Sequence, residues 1–87
     1  MVSRKVVISN PTGLHVRPAG ILVKAADHCG SRVELISGNS IANCRSILNV
    51  LSMAVRCGDE VEICCTGPTE VQDLEYMVHV IKEELGK

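Results

Sequence analysis

One imidazole, His15, stands two residues before one guanidinium, Arg17, in the stretch Asn10-Pro11-Thr12-Gly13-Leu14-His15-Val16-Arg17-Pro18-Ala19. The turn residues ahead of the pair and the proline behind it predict a chain reversal that runs into a helix. If that helix begins near Val16, His15 occupies its N-cap, beside backbone N–H groups with no partner inside the helix. Those groups and the positive end of the helix dipole make an anion site. Arg17 adds a permanent charge and a fork of donors suited to phosphate oxygens. Imidazole is among the few side chains that are neutral and nucleophilic near neutral pH, so its expected chemistry at an anion site is to accept a phosphoryl group. Such a transfer needs chiefly positioning and charge stabilisation, and both are available here without a metal. A histidine near a helix start is more often a solvated residue or a cap, and the residues alone leave both readings open. His28 and His79 lack such neighbours and read as surface residues.

Ser46 is a second candidate. It can cap a helix running from Ile47 to about Arg56, with Gly58 as its end. Ile47, Leu48, Val50, Leu51, Met53, Ala54 and Val55 supply more apolar surface than one buried stripe requires. Part of it is therefore expected to face solvent as a docking patch near His15, with Leu48 and Leu51 as contacts. A short helix buried on several sides would read the same way.

The elements that must position these residues follow from periodicity. Val2, Val6 and Ile8 share one face of a strand over Val2–Ser9, and Asn10-Pro11-Thr12-Gly13 supplies the turn after it. Pro18 in the first turn and the stripe Ala19, Leu22, Val23, Ala26 mark a helix from Val16 to about Asp27, with Gly30 at its exit. Arg32–Ser37 and Ser40–Asn43 flank Gly38-Asn39, a hairpin signal that makes those two strands antiparallel neighbours. Strand Glu60–Thr66 alternates with Val61, Ile63 and Cys65 inward and Glu60, Glu62 and Cys64 outward. Pro68 and Thr69 open a last helix whose seam is Val71, Leu74, Val78, Ile81 and Leu85, with Gln72, Asp73, Lys82 and Glu83 on the water side. The order is βαββαβα, an α+β chain with an antiparallel or mixed sheet and its helices on one face.

Composition excludes several functions. A chain of 87 residues builds one compact core, so one domain is expected. At 46% hydrophobic and 22% charged, with one Tyr and neither Trp nor Phe, that core must be aliphatic. Net charge −1 with scattered Lys and Arg gives poor footing for nucleic acid. Residues 1–25 hold no apolar signal core, and no run of about 20 apolar residues spans a bilayer, so a soluble cytoplasmic protein is expected. Five cysteines without a Cys-x-x-Cys pair read as small buried hydrophobes with reduced thiols rather than a zinc or dithiol site.

The segment TGLHVRPA resembles the active-site segment of HPr, the histidine-containing phosphocarrier family of the bacterial phosphoenolpyruvate-dependent sugar phosphotransferase system. RSILNVLSMAVRCGDEVEI resembles that family's second signature, around a regulatory serine. The likeness covers nearly the whole chain, including element order and the distance between the two segments. It implies an open-faced β-sandwich, a four-stranded antiparallel sheet covered by three helices. It also implies that His15 takes a phosphoryl group on Nδ1 from phosphorylated enzyme I and passes it to the A domains of sugar permeases. Arg17 would stabilise the phosphohistidine, Lys24 would join Leu48 and Leu51 in partner docking, and the protein would act as a monomer without a cofactor.

In Gram-positive members the serine matched by Ser46 is phosphorylated by an ATP-dependent HPr kinase/phosphorylase, and the product serves as corepressor with a catabolite-control transcription regulator. A phosphate there sets a hydrated anion beside the docking patch, so carrier traffic should fall. Three positions depart from the family pattern. Val16 stands where alanine is usual, and Asp27 and Asn49 replace lysines of several members, which weakens the positive surface offered to acidic partners. The competing reading is a regulatory HPr-like protein acting through Ser46 phosphorylation and partner binding in carbon or nitrogen control. A Cys-dependent metal or redox module comes third.

Overall fold

A computed structural model describes residues 1–86 and has the expected order: β1 (Val2–Val7), α1 (Val16–Asp27), β2 (Arg32–Ser37), β3 (Ser40–Asn43), α2 (Ile47–Ser52), β4 (Glu60–Thr66) and α3 (Glu70–Glu83). The four strands form one sheet in the order β1-β4-β2-β3, with every neighbouring pair antiparallel. The Gly38-Asn39 turn makes β2 and β3 partners, with Leu35 opposite Ala42. No local signal announces the other two pairings, which set the C-terminal strand β4 between β1 and β2.

Alternation assigns the two faces. Val6 lies opposite Val61, Leu35 opposite Ile63 and Val33 opposite Cys65, and all six are buried beneath the helices. α3 packs on β1 and β4, α2 on β3, and α1 against both other helices. Arg4 shares the helix-facing side of β1 but stays exposed at its edge, where its Nη2 donates to Glu75 of α3 at 2.5 Å. Lys5, Val7, Glu60 and Ile41 are exposed on the opposite, uncovered face.

The core is aliphatic, with Ile8, Leu22, Leu35, Ile63 and Met77 among its largest fully buried members. Each such side chain contributes about 1.5–3 kcal/mol on burial. Among the described residues no helix is long and apolar enough to cross a membrane.

Several boundaries and orientations correct the periodicity. β1 ends at Val7, although Ile8 remains buried through a loop bond from its N–H to the Asp59 carbonyl at 2.9 Å. α2 stops at Ser52 rather than near Arg56, because Ala54 takes the left-handed conformation at φ 53° and sends Val55 back into the core. That turn, and not Gly58, ends the helix.

α3 begins at Glu70 and buries Met77 and Val80, whereas Val71, in its first turn, is 63% exposed. Asp73 is half-buried and hydrogen-bonded instead of hydrated. Cys64 faces away from the helices as the alternation predicts, yet only 4% of it is exposed, since β4 is flanked there by Ser3 of β1 and Glu34 of β2. Cys57, by contrast, is exposed.

Candidate functional site

The chain ahead of His15 is held from two directions. Within the turn, the Asn10 carbonyl accepts from Gly13 N at 3.0 Å, and Asn10 Nδ2 donates to the Gly13 carbonyl at 2.5 Å. From across the molecule, the Val55 carbonyl accepts from Leu14 N at 3.0 Å. Gly13 makes the approach possible. It sits at φ 61°, and a Cβ there would lie 2.6 Å from the Val55 oxygen and 2.8 Å from Arg56 Cα.

His15 is the N-cap of α1, at φ −74° and ψ −176°, and its carbonyl accepts from Ala19 N at 2.8 Å. Its ring makes no capping bond, so it does not close the helix end as a serine would. Pro18 brings no N–H, which leaves Val16 N and Arg17 N as the first-turn donors beside the ring. Neither is hydrogen-bonded within the described chain, and the exposed Arg17 guanidinium has no partner among the described residues.

The exposed ring stands between two hollows. On one side a groove of about 460 Å³ is lined by Asn10, Thr12, Arg17, Pro18 and Leu85. On the other an apolar hollow of about 550 Å³ is lined by Leu14, Val16, Leu51, Ala54 and Val55. A phosphate-sized anion on the ring would meet backbone amides and a guanidinium, with apolar surface available to a partner alongside.

The other sequence candidates divide. Leu51 joins His15 and Val16 at the apolar hollow, and Leu48, 75% exposed, stands on α2 with Ile47 as open apolar surface. Ser46 caps α2 as expected, its Oγ accepting from Asn49 N at 3.3 Å. Lys24 is exposed but lines a different groove, between α1 and α3, with His28, Tyr76 and His79. Asp27 lies 3.9 Å from Arg45 Nε.

The sequence reading missed the supports. Arg45 Nη2 donates to the carbonyls of Cys29 and Ser31 at 2.6 and 3.0 Å, tying the Ser46 cap to the exit of α1. Asp73 accepts from Ser31 N at 2.9 Å and Thr69 Oγ1 at 2.7 Å, which joins that exit to α3. No local pattern marks either residue. Asn10 was visible only as turn chemistry; folded, it is 7% exposed, with Oδ1 buried and unpaired.

Burial makes most of the cysteines poor nucleophiles. It pushes the Cys44 thiol up to about 12 and those of Cys29 and Cys65 up to about 11, and it raises Cys64 as well.

This arrangement has counterparts. The family model described as "PTS HPr component phosphorylation site" matches residues 2–83. The chain belongs to the HPr family. Phosphocarrier protein HPr of Treponema pallidum is 39% identical over 84 residues, covering 97% of this chain and 96% of that protein. The HPr-like protein Crh of Bacillus subtilis is 35% identical over 85 residues, covering 98% of this chain and all of Crh. Among solved structures, HPr-C-His of Thermoanaerobacter tengcongensis matches with TM-score 0.94 and 30% identity, covering 100% of this chain and 98% of that one. HPr proteins are phosphocarriers of the phosphotransferase system, and the Crh relatives connect the family to carbon catabolite regulation. The open sheet with three helices on one face is the HPr fold.

Proposed function

We propose that this chain is a phosphocarrier of the phosphoenolpyruvate-dependent sugar phosphotransferase system, loaded on His15 by enzyme I and unloaded by the A domains of sugar permeases. The single observation carrying the reading is the exposed ring of His15 beside the unpaired amides of Val16 and Arg17 and the unpartnered Arg17 guanidinium. The ring lone pair attacks phosphorus, and Arg17 and the amides hold the phosphoryl oxygens as charge builds on them. Partners dock on Val16 and the half-buried Leu51, which line the apolar hollow beside the ring, and on the exposed Leu48 of α2. Lys24 contributes from its separate groove. The protein works in the cytoplasm as a monomer.

Incubation with phosphoenolpyruvate and enzyme I should add one acid-labile phosphoryl group, detected by mass. His15→Ala should abolish it. A modification that survives His15→Ala overturns the assignment.

The likeness to Crh favours a second role, in which phosphorylated Ser46 serves carbon catabolite control through an HPr kinase/phosphorylase and a transcription regulator. A phosphate on Ser46 Oγ would sit at the cap of α2, next to Ile47 and Leu48, and make docking there costly by adding a hydrated anion. Purified kinase and ATP should modify Ser46 and slow the loading of His15. Unchanged loading of the Ser46-phosphorylated protein removes the link between the two sites.

A further inference from the structure

Asn10 Oδ1 is the one buried side-chain nitrogen or oxygen without a hydrogen-bond partner among the described residues. The other end of the carboxamide is already engaged, Nδ2 donating to the Gly13 carbonyl at 2.5 Å. That bond fixes which way the amide faces, since turning it over would set oxygen against oxygen. A buried acceptor left empty is costly and is rarely retained without a use. Asn10 lines the same groove as His15, to which Pro11 and Pro18 bring no N–H. His15 is the complementary half, a ring with no hydrogen bond among the described residues.

We propose that Asn10 is the positioning residue of His15. With the ring turned towards the groove, Oδ1 accepts the imidazole N–H, and the other ring nitrogen keeps its lone pair facing the phosphoryl donor. This rests on the reading of His15 as the phosphoryl acceptor. A neutral imidazole has one N–H and one lone pair, and the partner of the N–H decides which nitrogen carries which. During loading the lone pair forms the N–P bond, the bond between phosphorus and the donor atom breaks, and its electron pair leaves with that atom. The ring takes on positive charge while its N–H proton stays in place. The bond to Oδ1 thereby becomes charge-assisted and strengthens as the transition state is reached, which is the condition for accelerating the step.

The test is nitrogen-15 NMR of the His15 ring in unloaded protein at about pH 8, where imidazole is neutral, with His28 and His79 as internal references. Wild type should hold one His15 tautomer in clear excess. Asn10→Ala should release it to a mixture and slow loading about ten- to a hundredfold, the size expected of a charge-assisted hydrogen bond. Asn10→Asp loses the donor to Gly13 but keeps an acceptor, so it should retain the wild-type tautomer while sharing any defect in the turn. An even tautomer mixture in wild type overturns the proposal without any variant, and so does Asn10→Asp behaving as Asn10→Ala. Failure of wild type to take up a phosphoryl group overturns the proposed function instead, and the tautomer ratio still decides the hydrogen bond.

Discussion

Adding one methyl group at Gly13 should do more damage than adding one at Gly38, although both glycines are left-handed, at φ 61° and φ 58°. The dihedral cost is common to both, about 1–2 kcal/mol for a residue with a Cβ. Their surroundings differ. A Cβ at Gly38 meets nothing within 4 Å, whereas at Gly13 it lies 2.6 Å from the Val55 oxygen and 2.8 Å from Arg56 Cα. Those are backbone atoms, which no rotamer change can move. The segment must shift, stretching the bond from Leu14 N to the Val55 carbonyl, now 3.0 Å. Overpacking of this kind adds about 1–3 kcal/mol.

Once the lower unfolded-state entropy of alanine offsets part of the dihedral cost, Gly38→Ala should lose about 0.5–1 kcal/mol and Gly13→Ala, with the overpacking added, about 1.5–4 kcal/mol. Urea unfolding of both variants against wild type measures the difference, and thermal melts should show Gly13→Ala lower by roughly 10–30 °C. Loading of His15, two residues along, should fall in Gly13→Ala and hold in Gly38→Ala. Equal stability losses in the two variants, within about 0.5 kcal/mol, would refute the account of the Gly13–Val55 contact.

Three further outcomes follow from particular residues. Ala54 is the one non-glycine residue at positive φ among those described, so Ala54→Gly should raise stability by about 0.5–1 kcal/mol after the unfolded-state entropy of glycine is offset; a loss on urea unfolding contradicts the strain. Burial pushes the Asp73 carboxyl up, but hydrogen bonds from Ser31 and Thr69 outweigh it and hold it below the ordinary range. A depressed carboxylate stabilises above the unfolded-state value and loses that contribution as pH falls through the folded one, so Asp73→Asn should flatten the decline in melting temperature between about pH 5 and pH 2. Parallel pH profiles for variant and wild type would show that Asp73 contributes nothing. Of the five cysteines, only exposed Cys57 should react quickly with a thiol reagent in native protein, and urea should release the other four, including Cys44 at about 12. A fast thiol that survives Cys57→Ser is the contrary result.

The placement of the candidate site residues was legible because it is local. His15, Arg17 and Pro18 lie within one helical turn, and Pro18 itself removes a donor and so selects which amides face the ring. Ser46 is equally local, a hydroxyl three residues before the amide it caps. The supports were not legible. Arg45 reaches carbonyls at 29 and 31, Asp73 reaches Ser31, and Leu14 reaches Val55. Each of these contacts is absent from any window of neighbouring residues and exists only once strands and helices have docked. Patterns also failed where apolar residues continued past an element: Val55 is core without being helix, and Val71 is apolar without being core.

By itself the sequence determined the order of elements, the β2–β3 hairpin, the start of α1 at Val16 with His15 as its N-cap, and the aliphatic nature of the core, since each follows from composition, spacing and turn chemistry along a few residues. Tertiary structure alone decided that β4 lies between β1 and β2, that Ala54 turns Val55 inward to hold Leu14, that Cys64 is covered, and that Asn10 is buried in the wall of the groove that His15 also lines. Those outcomes depend on which surfaces exclude water from one another, and that is a property of segments far apart in the chain.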